Sequence, residues 1–316
     1  MQRWRTRIDT LHRRGVGSVM SLPRPLRIDR PLIALSLAVL AVFLFATSDA
    51  VTKYLTMQYP VPLVSAVRYD VSLMAILLVF GPRVRSGMWT AQRPVLLFLR
   101  GVALCGVALM MGLALRVMPV GETVAIMFLA PILVMALSAP LLKEHVSGLG
   151  WILAGLAFAG VILIVRPGAA LDPHGMSYAL VMACLMAVFH LSTRALSRTE
   201  TSMAMLFYVT LSGAMIFSFA AIPSAPLLVQ IGGFDFAMMV FLGVLTTAGH
   251  YLFSVAYTMA PASMVAPVTY LHVVWAAVLG WGVFGHIPDG WTLLGMAMIL
   301  FAGASIGLSA HWGRAR

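Results

Sequence analysis

Ten apolar runs, each about as long as a membrane-crossing helix, divide this chain of 316 residues and constrain its fold more than any other feature. A hydrocarbon core about 30 Å thick is crossed by roughly 20 apolar residues in a helix. The runs cover 32–54, 61–80, 94–116, 119–142, 147–165, 174–194, 202–222, 235–259, 261–284 and 290–310. The longest connections, 81–93 and 223–234, leave no room for a soluble domain between helices. Charged residues make up 10% of the chain and hydrophobic ones 61%, whereas a water-facing domain is about a quarter charged. Lipid is therefore the solvent for most of the surface, and the expected fold class is all-α, a polytopic membrane protein of ten transmembrane helices.

The net charge of +11 does not point to nucleic acid, because the basic residues punctuate apolar segments instead of covering one folded face. Eight arginines precede the first run, Arg3, Arg5, Arg7, Arg13, Arg14, Arg24, Arg27 and Arg30. With the N-terminus inside, sixteen Lys and Arg fall on the cytoplasmic side and two, Arg116 and Arg166, on the outer side. By the positive-inside rule both termini are cytoplasmic and the protein is a multi-pass component of a bacterial inner membrane. The basic tail, 1–31, leads into a run too long for a signal peptide, so no cleavable signal is expected. Met20 is an alternative start.

The chain also repeats. Thr52, Lys53 and Leu55 recur as Thr193, Arg194 and Leu196 at an offset of 141. Pro119 and Glu144 bracket the fourth run as Pro261 and His286 bracket the ninth. Gly150, Trp151, Leu153 and Gly155 recur as Gly290, Trp291, Leu293 and Gly295. The expected halves are 32–166 and 174–310. Five spans is an odd number, so the halves are inserted upside-down relative to each other, an arrangement common in transporters.

A charge at membrane depth costs about 2.5–3.5 kcal/mol on insertion scales and needs a reason. Asp49 and Lys53 stand i,i+4 near the outer end of the first run, either as a self-neutralising pair or as substrate or proton contacts. Their repeat equivalents are His190 and Arg194, with Arg194 better read as a topology anchor. Arg68 and Asp70 lie about 200° apart on one helix, so each needs a partner elsewhere. Arg100, at the inner end of the third run, reads as an interface anchor. His250 and His272 read as packing histidines. Tyr270 and Trp275 sit deep enough to line a pocket, while Trp151, Trp281 and Trp291 suit the interfacial belt. Pro131 and Pro267 each remove a helical hydrogen bond and kink their segments.

Other chemistry is excluded by pattern. Gly303, Ser305 and Gly307 satisfy G-x-S-x-G, but inside an apolar helix they form a small-residue packing face. The two lysines do not follow glycine, so no P-loop exists and ATP does not drive the chain directly. Cys105 and Cys184 have neither disulfide nor zinc spacing. No metal or cofactor is expected. A membrane-embedded enzyme would need paired acids or metal ligands at depth, and none stand out.

The stretches LALRVMPVGETVAIMFLAPILVMALSAPLLKEHV, GVILIVRPG and APVTYLHVVWAAVLGWGVFGHIPDGWTLLGMAMILFAGASIG resemble the EamA-type drug/metabolite transporters over about 32–310. The resemblance implies a ten-helix inverted-repeat carrier whose central cavity is lined by the first, third, fourth, sixth, eighth and ninth helices. The family usually carries Gly-Glu after both the fourth and ninth helices. Here these positions read Lys143-Glu144 and Gly285-His286, so the second acid is missing. Members with similar ninth helices carry riboflavin and S-adenosylmethionine, and amino acids and drug-like metabolites are further substrates. The membrane-embedded charges lean basic, which tilts the expectation toward riboflavin or an anionic metabolite. The partners expected are the bilayer, a small-molecule substrate and a coupling proton. Facilitation or exchange remains an alternative, and assembly as a homodimer is left open.

Overall fold

The computed structural model describes residues 31–80, 91–142, 148–166, 171–197, 199–260 and 262–312. The basic tail, Met20, Arg83, Arg85, Lys143, Glu144, Arg198, Arg314 and Arg316 lie outside the described residues. The rest is helical: α1 (Pro31–Thr56), α2 (Val61–Phe80), α3 (Pro94–Val117), α4 (Val120–Met127), α5 (Ala130–Leu142), α6 (Gly148–Val165), α7 (Pro173–Leu196), α8 (Ser202–Ala220), α9 (Gly233–Met259), α10 (Ala262–Val265), α11 (Leu271–Phe284) and α12 (Gly290–Trp312). Short 3₁₀ turns cover Ile222–Val229 and Ala266–Tyr270. Among the described residues, eight helical runs are long and apolar enough to cross a membrane, with Val120–Leu137 counted as one. Two shorter apolar helices, Val268–Phe284 and Gly290–Ser305, occupy the places of the ninth and tenth segments.

Local chemistry sets the helix ends. Pro94 and Pro173 open α3 and α7, where a missing N–H costs nothing. Asp172, Thr201 and Asp289 accept the backbone N–H of Gly175, Ala204 and Thr292 as N-caps. At the end of α11, Gly285 adopts φ 68°, and the N–H of His286 returns to the Gly280 carbonyl at 3.3 Å. A left-handed residue there favours glycine, and this closure aims His286 back at the bundle.

The fourth and ninth segments are broken. Phe128 and Leu129 separate α4 from α5, and Pro131, lacking an N–H, leaves the Met127 carbonyl without its helical donor. In the ninth segment the 3₁₀ turn containing Pro267 separates α10 from α11.

Packing is reciprocal between the halves. Helix α1 lies on α9 as α7 lies on α3, and α2 meets α9 as α8 meets α3. Helix α1 also packs on α11, as α7 does on α4 and α5, while α2 with α8 and α6 with α12 pair directly. Gly160 and Gly295 let α6 and α12 approach until a Cβ on either would lie 2.6 or 2.5 Å from the other's carbonyl oxygen. The largest buried cluster, including Leu115, Met118, Ile126, Ile164, Met182 and Ile299, fills the space among α3, α4, α6, α7, α11 and α12.

Candidate functional site

Three polar clusters interrupt the apolar interior. The central one is built where the broken segments meet α1. Asp49 Oδ2 lies 2.8 Å from His272 Nε2, with the side chains 16% and 11% exposed. Aromatic rings enclose the pair. Phe45 lies 6.4 Å from the His272 ring and 4.9 Å from that of His250, between centroids. Phe128, at the α4–α5 break, lies 6.4 Å from His272 and 5.0 Å from Tyr270. The Tyr270 ring occupies the space left by the missing side chain of Gly303 on α12, which makes that glycine a packing residue. Trp275 stands aside, edge-on to Phe43 at 5.1 Å. An acid, an imidazole and flat rings at two helix breaks can bind a planar ring by its faces and by hydrogen-bonding groups on its edge.

The second cluster ties helix ends where α1 and α3 finish. Lys53 does not close on Asp49. Its Nζ donates to the carbonyls of Leu115 and Met118 at 2.8 and 2.7 Å and lies 5.4 Å from the Phe284 ring centroid. The orphan carbonyls at a helix C-terminus attract a cation more directly than a neighbour one turn away, and Asp49 already has His272. Glu122, in the first turn of α4 and 2% exposed, takes His286 Nε2 at 2.7 Å on Oε1, while its Oε2 is buried without a hydrogen-bond partner. Nearby, Arg166 binds Asp289. The Thr292 N–H and then Arg166 hold the Asp289 carboxyl down at about 2. Tyr54 and Tyr59 both donate to Asp235, and that bond raises the Tyr59 hydroxyl above the usual range.

The third cluster closes the opposite end. Arg100 is 8% exposed; it donates to Thr193 Oγ1 at 2.7 Å and the Met205 carbonyl at 3.0 Å and stacks on Phe189. It is an internal tie, not an interface anchor. Glu200 accepts the N–H groups of Gln92 and Arg93. His190 is exposed on α7 with the Phe189 ring beside it at 5.7 Å between centroids, and no acid is paired with it among the described residues, unlike His272 with Asp49.

The two charges of α2 diverge as their spacing requires. Asp70 is exposed and accepts from Ser218 at 3.1 Å, while the Arg68 guanidinium lies 4.6 Å from the Tyr69 ring centroid on the inner side. An apolar crevice lined by Thr47, Val51, Tyr54, Phe234, Leu279 and Val283 meets the second polar cluster at Tyr54, whose hydroxyl donates to Asp235. Among the described residues, no group of three or more His, Cys, Asp or Glu could hold a metal ion.

Sequence reasoning passed over Glu122 and the partner of His272. Glu122 was detectable, because the rule that a membrane-depth charge needs a reason applies to it as to Asp49. The His272 partner lies 223 residues away, and nothing local announces it.

A many-helix membrane protein with a polar centre, broken helices at that centre and polar ties at both ends has the build of a carrier. The chain belongs to the EamA-like transporter family, which matches it twice, over residues 32–166 and 173–307. It is similar to the S-adenosylmethionine uptake transporter of Rickettsia bellii (strain RML369-C), 25% identical over 261 residues, 81% of this chain and 86% of that protein. It is equally similar to the riboflavin transporter of Vibrio cholerae serotype O1, 25% identical over 267 residues, covering 83% and 88%. A solved crystal structure overlays with a TM-score of 0.64 at 20% identity, covering 88% of this chain and 97% of the other, a likeness of fold alone. The chain is thus a multi-pass membrane protein of a bacterial transporter family that moves small metabolites.

Proposed function

We propose that this chain is a secondary carrier that moves a metabolite with a flat ring, riboflavin foremost, across the bacterial inner membrane by alternating access. The observation that carries the reading is the Asp49–His272 pair enclosed by Phe45, Phe128 and Tyr270 at the breaks of the fourth and ninth segments. In this reading both termini are cytoplasmic and the halves 32–166 and 174–310 are inverted. The Lys53 end is then the outer mouth and the Arg100 end the inner one. Energy comes from an ion gradient or from exchange, with a proton as the favoured partner.

S-adenosylmethionine is a second reading, favoured by one observation. Two of the basic charges expected to repel a cation are engaged elsewhere, Lys53 by carbonyls and Arg100 by Thr193 and Met205, while the group facing His272 among the aromatic rings is the acid Asp49.

Growth of a riboflavin auxotroph on limiting vitamin, with uptake of labelled riboflavin and S-adenosylmethionine into proteoliposomes, tests both. Saturable uptake of one compound assigns it, and uptake of neither removes both readings. An imposed inward proton gradient then tests coupling. Accumulation above the outside concentration supports it, and mere equilibration refutes it.

A further inference from the structure

The crevice beside Tyr54 has the surface of a hydrocarbon site. Helices α9 and α11 each lie on α1 but form no packed pair with each other among the described residues. The gap between them is floored by Thr47, Ala50, Val51 and Tyr54 of α1 and walled by Phe234, Met238, Leu279 and Val283. It holds about 230 Å³. The two hydroxyls of the lining are engaged, that of Thr47 by the Phe43 carbonyl and that of Tyr54 by Asp235. Carbon surface is what remains. An apolar space of this kind stays dry, and its walls Phe234 and Val283 are 66% and 60% exposed on the lipid-facing surface of their spans.

The position of the crevice sets which end of a lipid it meets. Tyr54, Phe234 and Val283 stand beside the ends of α1, α9 and α11, so the top of the crevice lies at the membrane boundary. From Tyr54 down to Thr47 its floor runs about 10 Å along α1. At the top stands Asp235, half-buried, with Tyr54 and Tyr59 donating to its two oxygens at 3.0 and 2.7 Å. Each carboxylate oxygen keeps a second lone pair for another donor. Among the described residues no cation answers this acid, whereas Asp289, in the same polar cluster, has Arg166. An apolar trough thus ends at an acid with acceptor capacity to spare.

We propose that this crevice is a phospholipid site, seating one acyl chain while a primary-amine headgroup, that of a phosphatidylethanolamine, donates to Asp235. Charge complementarity selects the headgroup. A primary ammonium brings a positive charge and N–H donors together. A quaternary ammonium brings the charge without donors, and a glycerol headgroup leaves the phosphate's negative charge facing the acid. The inference needs the bilayer but not the identity of the transported metabolite.

Lipid binding to the delipidated, detergent-purified full chain tests this, read by native mass spectrometry and by apparent Tm. The probes are dioleoyl phosphatidylethanolamine, phosphatidylcholine and phosphatidylglycerol, which share their chains. Wild type should hold phosphatidylethanolamine at least about tenfold more tightly than phosphatidylglycerol, the worth of one charge-assisted hydrogen bond. Phosphatidylcholine should fall between. Asp235→Asn retains an acceptor for a tyrosine and should cut that preference to about twofold or less. Val283→Trp fills the crevice from an exposed position and should weaken all three lipids at least about tenfold. Val278→Trp, exposed on α11 outside the lining, should bind like wild type. If Asp235→Asn melts too low to purify, the two tryptophan variants still decide whether the crevice holds lipid. Equal retention of the three headgroups by wild type, or unchanged binding by Val283→Trp, overturns the proposal. So does a wild-type dimer that binds no lipid and that Val283→Trp splits, which gives the crevice to a second copy of the chain.

Discussion

Replacing Lys53 by Met separates the two accounts of that lysine. The ammonium closes the C-terminus of α3 through two carbonyls, at 2.8 and 2.7 Å. Hydrogen bonds from a charged donor are worth about 1.5–3 kcal/mol each. Methionine retains most of the apolar stem and removes the cost of half-burying an ammonium, so the net loss is about 2 kcal/mol. A chain of this size shifts by about 2–4 °C per kcal/mol, so the apparent Tm in detergent should fall by about 4–8 °C. Asp49→Asn is the control. The amide preserves the shape and a bond to His272, so the Tm should move by no more than about 2 °C. If Asp49 held Lys53 in place, the two variants would lose similar stability. Equal drops, or a Lys53→Met protein that melts like wild type, would refute the capping argument.

The same Asp49→Asn protein should reach the membrane at near-normal abundance while its uptake falls at least about tenfold, because the charge and not the bond is lost from the central pair. Normal uptake would make the pair structural. A reporter active only outside the cytoplasm should be active when fused after Pro223 and silent after Arg198, and the reverse pattern sinks the orientation. Asp289 carries a depressed carboxyl, at about 2 in the folded chain. Its stabilising effect is present above the ordinary carboxyl value, about 3.9, and is lost as pH falls from there toward 2. The difference in Tm between wild type and Asp289→Asn should therefore shrink below about pH 4, and a difference that grows there would contradict the assignment.

What the sequence revealed and what it hid follow one division. Apolar runs, the charge asymmetry and the two prolines are local signals, and the helical runs and the breaks after Met127 and at Ala266–Tyr270 appear where those signals lie. The opposed faces of Arg68 and Asp70 follow from helix geometry alone. Partner choice is tertiary. Lys53 and Asp49 look paired because they are one turn apart, yet each has a stronger partner across the bundle, backbone carbonyls for one and His272 for the other. Backbone acceptors carry no residue-type signature, so no reading of side chains would have found them. Glu122 lies within the stretch that carries the family resemblance, and its charge at membrane depth is a local signal of the same kind as that of Asp49.

His286 stands where the family pattern has an acid, and the structure gives that departure a consequence that can be measured. The imidazole is 40% exposed and reaches Glu122, whose side chain is 3% exposed, at 2.7 Å. The other carboxylate oxygen has no hydrogen-bond partner, so His286 supplies the one described bond to a buried acid. A second acid at position 286 would instead oppose like charges at this distance, which disfavours ionisation of both. His286→Ala leaves the Glu122 side chain buried and without a hydrogen-bond partner among the described residues. Removing one partner of a buried pair costs about 3–5 kcal/mol, and the exposure of His286 places this case at about 2–3 kcal/mol. Glu122→Gln removes the charge that needs the donor and should cost less. The decisive protein is the double variant. With no buried carboxylate left, Glu122→Gln with His286→Ala should be at least as stable as His286→Ala alone. Apparent Tm values for the four proteins give the coupling between the two sites. Additive losses would mean that His286 and Glu122 stabilise the bundle independently, and the reading of position 286 as the keeper of a buried acid would fail.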